Sequence, residues 1–77
     1  MVNRESVALV PRVREWRTLR GATIADVAAA VGCSGAHVSQ IERGLKRPSL
    51  ETLFAIARAL DVSVRDLYSD APPPPEP

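Results

Sequence analysis

The stretch from Thr23 to Arg43 constrains this chain most, because it holds two short helical patterns separated only by Gly32-Cys33-Ser34. Thr23 is placed to cap the first pattern, with Asp26 three residues on as the partner of a short-armed capping box. Ile24 or Val27, Ala28 and Val31 mark its buried face. Gly32 can take the positive φ that ends it. Ser34 caps the second pattern, which runs to Glu42 or Arg43 and is stopped by Gly44. Only Val38 and Ile41 in it are large and apolar, whereas Gly35, Ala36, His37, Ser39, Gln40 and Arg43 are small or polar. A helix made solely for a core carries a wide apolar stripe. This one has two anchors, so most of its surface must face something wet. Two short helices joined by so tight a turn have a helix-turn-helix layout.

Three more helices flank this pair. The first runs from Val10 or Pro11 to about Arg20, with Val13, Trp16 and Leu19 or Arg20 at three-residue spacing and Pro11 in its first turn. The fourth follows Pro48, with Ser49 as cap and Leu50, Leu53, Phe54, Ala57 and Leu60 as a broad apolar stripe. The last runs from Ser63, with Asp66 three residues on, to about Tyr68. Connections of a few residues fit an all-α, five-helix compact bundle and not a βαβ unit. Residues 1–9 are expected to form an N-terminal arm and residues 10–70 the folded domain. Residues 71–77, nearly all proline, are expected to form a disordered tail, because proline lacks the amide donor and fixes φ. A solubilising end and a ligand for proline-binding modules are both open readings of that tail.

A chain of 77 residues has room for one small core. The single Cys33 cannot form an internal disulfide, and with the single His37 it cannot complete a zinc site, so neither metal nor cofactor is expected. One histidine, one cysteine and no glycine-rich phosphate loop argue against an enzyme. No apolar run approaches the length that spans a bilayer, so no membrane partner is expected, and the default location is cytoplasmic and nucleoid-associated. No small-molecule ligand is expected. The net charge of +1 conceals an asymmetry. Residues 1–47 hold eight Lys/Arg against four acids, and the remainder is net acidic. A basic first part suits a polyanion, although a solvated charge pattern without function gives the same count.

From Val13 to Tyr68 the chain resembles the Cro/C1-type helix-turn-helix regulators, the xenobiotic-response-element family. The blocks that carry the resemblance are VREWR, TIADVAAAVGCS, VSQIERG and RPSLETLFAIARALDVSVRDLY, in this order and spacing. The resemblance implies a lambda repressor-like DNA-binding domain and sequence-specific binding of double-stranded DNA, with helix 34–43 in the major groove. Gly35, Ala36, His37 and Gln40 then face base edges. Gln40 is the main reader, since its amide donates and accepts together, as adenine N6 and N7 require, a contact worth about 1–3 kcal/mol of discrimination. His37 suits a guanine acceptor or a phosphate, or is simply an exposed residue of the capping turn. Thr23, Ser39, Arg43, Lys46 and Arg47 are the expected phosphate contacts, which position without reading sequence. Two departures matter. Ile24 stands where many members have a phosphate-touching glutamine, and Gly35 and Ala36 stand where long polar residues are common, which leaves more of recognition to DNA shape.

The family often pairs an arginine of the first helix with the glutamate that ends the third, so Arg17 and Glu42 are expected to form a structural ion pair, with direct contact of Arg17 to phosphate as the alternative. Cys33 stands where a small aliphatic residue is usual and is expected to fill the turn as a thiol. One domain touches few base pairs, so a homodimer on an inverted-repeat operator is expected, with half-sites about 34 Å apart. Leu60, Val62, Val64, Leu67 and Tyr68 are the expected dimer interface. The functional expectation is a small transcriptional regulator of repressor type. The alternative is a protein-interaction or antitoxin-like subunit on the same fold.

Overall fold

The computed structural model describes residues 10–68, and all regular structure within them is helical. Five helices follow one another: α1 (Val13–Arg20), α2 (Ile24–Val31), α3 (Gly35–Glu42), α4 (Leu50–Leu60) and α5 (Val64–Tyr68). The expected arm 1–9, the domain's last two residues and the proline-rich tail 71–77 lie outside the described residues.

Capping decides where most of these helices begin. Thr23 Oγ1 accepts from the Asp26 amide at 3.0 Å while the Asp26 carboxylate accepts from the Thr23 amide at 2.9 Å, so both donors of a capping box are satisfied. Ser34 and Ser49 each accept from the amide three residues on. Ser63 and Asp66 exchange the same two hydrogen bonds as Thr23 and Asp26. At the other end of α2, Gly32 takes φ of +87° and its amide reaches the Ala28 carbonyl at 2.8 Å. Gly44, with φ of +76°, turns the chain out of α3.

Two local expectations fail. The first helix starts at Val13 and not at Val10 or Pro11, because Arg12 has ψ of +52° and its amide donates to the Leu67 carbonyl at 2.7 Å. That bond, with Trp16 Nε1 on the Asp66 carbonyl at 3.2 Å, ties the chain before α1 and the first turns of α1 to α5. On α4 the stripe is rotated from its expected face. Ile56 is wholly buried beside Leu53, Ala57 and Leu60, while Leu50 and Phe54 are 64% and 54% exposed. A stripe through residues 53, 56, 57 and 60 obeys the same three-and-four spacing as one through 50, 53, 54 and 57, and only packing against α1 and α2 selects between them.

The core is formed by Val13 and Trp16 of α1, Val27 and Ala28 of α2, Val38 and Ile41 of α3, the four buried residues of α4, and Leu67 of α5. It is wholly aliphatic but for one indole. α2 packs on both α3 and α4, while α1 crosses α3 and α4. Arg20 closes the far end of α1 over α4. Its Nε donates to the Leu60 carbonyl at 2.9 Å, Nη2 to the Asp61 carbonyl at 3.2 Å, and the guanidinium lies 5.4 Å from the centre of the Trp16 ring.

Asp61, which ends α4, is the only described non-glycine residue with positive φ, at +59°. A side chain in that conformation costs about 1–2 kcal/mol relative to glycine, part of which glycine returns through its freer unfolded state. Asp61→Gly is therefore expected to stabilise the domain by about 0.5–1 kcal/mol, roughly 4 °C in Tm for a chain of this size, since Arg20 holds backbone carbonyls that the change leaves in place. Gly32→Ala, at a similar φ, is expected to lower stability by about 1 kcal/mol or more. Thermal unfolding followed by circular dichroism checks both signs.

Candidate nucleic-acid interface

α3 is held by two kinds of contact. Val38 and Ile41 are wholly buried and supply its apolar attachment. The second is an ion pair between helices: Arg17 Nε donates to Glu42 Oε2 at 2.6 Å and Nη2 to Glu42 Oε1 at 3.2 Å, a two-pronged contact across 25 residues of chain. Arg17 Nη1 also donates to the Ala22 carbonyl at 3.1 Å, so one guanidinium joins α1, the α1–α2 turn and the end of α3. The side chains of Arg17 and Glu42 are only 15% and 5% exposed. The hydrogen bond to Glu42 pushes the guanidinium pKa up against the opposing effect of burial, with the Glu42 charge adding in the same direction. The structure therefore brings Arg17 and Glu42 together inside the scaffold, with the arginine's donors turned onto protein acceptors.

The outward side of α3 follows from its phase. With about 100° per residue, Ala36, Ser39, Gln40 and Arg43 lie opposite Val38 and Ile41. Ala36 and Arg43 are exposed, Ser39 and Gln40 half-buried. Gly35 and His37 lie on the two flanks, both half-buried. A methyl at Gly35 would meet Ile24 Cγ2 at 3.5 Å, an ordinary contact, so packing against α2 does not itself demand glycine there. His37 is fixed through its amide, which donates to Ser34 Oγ. The Gln40 carbonyl accepts from the amides of Leu45 and Lys46 at 2.8 and 3.2 Å, folding the chain after α3 back onto the helix end. Arg43, Lys46 and Arg47 are all exposed on this short return, one cationic rim beside the polar face. Thr23, at the start of α2, is exposed, and its hydroxyl oxygen is committed as a cap acceptor.

The expected dimer interface divides in two. Leu60 and Leu67 are wholly buried inside the protomer, so they have no surface to offer a partner, because two short helices need both residues to close their own core. Val62, Val64 and Tyr68 are half-buried against that core. Cys33 is a half-buried free thiol packed at the turn. Residues that sequence reasoning passed over are Arg20 and the Ala22 carbonyl. Their roles depend on carbonyls brought near by folding, for which a linear pattern holds no signal.

The capping box of α2 is pH-sensitive. Hydrogen bonds from the Thr23 backbone and then its side chain hold the Asp26 carboxyl below the usual aspartate range. The folded state thus binds this proton less tightly than the unfolded chain. The stabilisation is complete above the ordinary aspartate pKa and is lost as pH falls through the lowered folded value. Asp26→Asn is expected to remove this part of the acid slope, so that urea midpoints of variant and parent converge at low pH and separate toward neutrality.

Comparison with known proteins agrees with this geometry. The family profile described as helix-turn-helix matches residues 13–67. The chain is 42% identical over 59 residues to the HTH-type transcriptional regulator DdrOP3 of Deinococcus deserti, covering 77% of this chain and 46% of DdrOP3. It is 32% identical over 60 residues to the HTH-type transcriptional regulator SinR of Bacillus subtilis, 77% of this chain and 54% of SinR. The chain thus spans about half the length of these curated relatives. The crystal structure of the restriction-modification controller protein C.AhdI from Aeromonas hydrophila superposes with a TM-score of 0.74 at 32% identity, over 86% of this chain and all of C.AhdI. A structure of SinR in complex with DNA gives 0.69 at 32% identity, over 75% of this chain and 94% of that one. DdrOP3 and SinR are both named as HTH-type transcriptional regulators, and no helix among the described residues is long and apolar enough to cross a membrane. The profile match over most of the described chain, the five-helix order and the polar third helix on two apolar anchors lead to one conclusion: this chain belongs to the Cro/C1-type helix-turn-helix family of transcriptional regulators.

Proposed function

We propose that the chain is a sequence-specific double-stranded DNA-binding regulator, of repressor type, that places α3 in the major groove and acts as a homodimer on an inverted-repeat operator. The observation that carries this reading is α3 itself. It is a helix attached by Val38, Ile41 and the Glu42 bridge, with a polar outer face of Ala36, Ser39, Gln40 and Arg43 and a cationic rim of Lys46 and Arg47. The major groove of B-DNA admits one such helix, and a face this short reads only a few base pairs.

Within that face the roles separate. Gln40 is the sequence reader, its side-chain amide suited to adenine N6 and N7. Ala36 offers a methyl to a thymine methyl, while Gly35 allows the backbone to come close. His37, on the flank, reaches a guanine acceptor or the neighbouring phosphate. Arg43, Lys46 and Arg47 neutralise phosphates and set register, with Thr23 and Ser39 adding neutral hydrogen bonds. Glu42 is the one acid of α3, and Arg17 holds its carboxylate against the scaffold, away from the polar face. A protein-binding subunit has no general use for a cationic rim beside an exposed polar helix, which is why DNA is preferred over the antitoxin-like alternative.

Selection from a random double-stranded DNA pool, sequenced at two salt concentrations, tests the proposal. An enriched inverted repeat is expected, and Gln40→Ala is expected to relax one position in each half-site, costing about 1–3 kcal/mol there. Alanine at Arg43, Lys46 or Arg47 is expected to weaken all sequences alike and to lower the salt slope by about one each. No enrichment at any salt by a folded protein contradicts the proposal and turns the search toward protein partners.

A further inference from the structure

The buried C-terminal leucines move the question of self-association to a different surface. Among the described residues the large apolar side chains left most exposed are Leu45, Leu50 and Phe54, followed by Val10. Leu50 and Phe54 are four residues apart on α4 and therefore neighbours on one edge of it. Next to them on the solvent side of the same helix lie Glu51 in the first turn and Arg58 in the last, both exposed. Seven residues of helix set these two about 10.5 Å apart along the axis, too far to pair with each other, and neither forms an ion pair with another described side chain. The midpoint between residues 51 and 58 falls beside Phe54.

A helix with an acid at one end, a base at the other and an apolar residue midway is complementary to itself when turned end for end. In an antiparallel pair, Glu51 of each copy meets Arg58 of the other, twice over, while the two Phe54 side chains pack near the axis and Leu50 extends the apolar edge beyond each charge pair. That is the condition for a closed, isologous contact. We propose that this stripe of α4 is where a second copy of the chain docks, about a two-fold axis that passes beside Phe54. The proposal rests on the dimeric reading given under Proposed function and names its interface. The stripe is smaller than the roughly 800 Å² per partner of standard stable complexes, so the dimer is concentration-dependent, and DNA carrying two half-sites favours it by mass action.

The test is sedimentation equilibrium of the full chain over a wide concentration range, for the parent, Glu51→Arg, Arg58→Glu, the double exchange E51R/R58E and Phe54→Glu. Thermal melts and binding to a single half-site DNA accompany each. The parent is expected to show a monomer–dimer equilibrium. Each single charge reversal and Phe54→Glu are expected to weaken it about tenfold or more, with half-site binding unchanged. The double exchange restores the dimer, although its melt falls because the exchanged charges now oppose the helix dipole. A role confined to helix stability gives the opposite order, with no recovery in the double exchange. A parent that stays monomeric, a dimer indifferent to these changes, or one abolished instead by Val62→Glu or Tyr68→Glu overturns the proposal. Failure of the parent to bind half-site DNA counts against the DNA reading alone, since self-association is read without DNA.

Discussion

The two-pronged contact of Arg17 with Glu42 is the constraint around which the rest of this small domain is arranged. α3 has eight residues and only two that reach the core, and two apolar anchors define a line about which a short helix can roll. A third attachment at its C-terminal end, directional and shielded from water, removes that freedom. The same guanidinium holds the Ala22 carbonyl, so the turn into α2 and the end of α3 are referred to one point on α1. Removing either partner leaves the other charge largely shielded from solvent, which is why such pairs are costly to break even when they add little in forming. What the pair supplies is orientation of the polar face.

Around that point the fold divides its labour between two surfaces. The core side is filled by α4, whose Leu53, Ile56, Ala57 and Leu60 lie against α1 and α2, and by Leu67 of α5. α5 is too short to stand alone, and it is held by Leu67 and by the carbonyls of Asp66 and Leu67, which accept from Trp16 and Arg12. The outer side is left to α3 and the cationic return after it. A domain of this size has little apolar material to spare, so every leucine used to close the core is one that cannot serve a partner.

Most of the framework that carries the candidate site was legible in local pattern, and the reason is that its parts obey local rules. Thr23 with Asp26, Ser34, Ser49 and Ser63 each precede a helix by the spacing a cap requires, and Gly32 and Gly44 stand where positive φ is needed. Val38 and Ile41 were visible because α3 has no other large apolar residue. The pairing of Arg17 with Glu42 was accessible only through family resemblance, since nothing within either segment points across 25 residues. Three features were not legible. The late start of α1 follows from an amide of Arg12 bonded to Leu67, 55 residues away. The choice of Ile56 over Phe54 as a core residue follows from which neighbours α4 meets, because both fit the helical period. The burial of Leu60 and Leu67 follows from how much core the other helices left unfilled.

The most direct test of the central claim is DNA affinity through a double-mutant cycle on Arg17 and Glu42, measured well below the melting temperature of every variant. If the bridge orients α3, Arg17→Ala and Glu42→Ala each weaken binding to the selected operator by about tenfold, or about 1.4 kcal/mol, beyond any loss of folded protein, and the double variant loses no more than either single change. Affinities that match the parent once folded fraction is accounted for, or single losses that simply multiply in the double variant, contradict the account and reduce the pair to a bystander of the recognition helix.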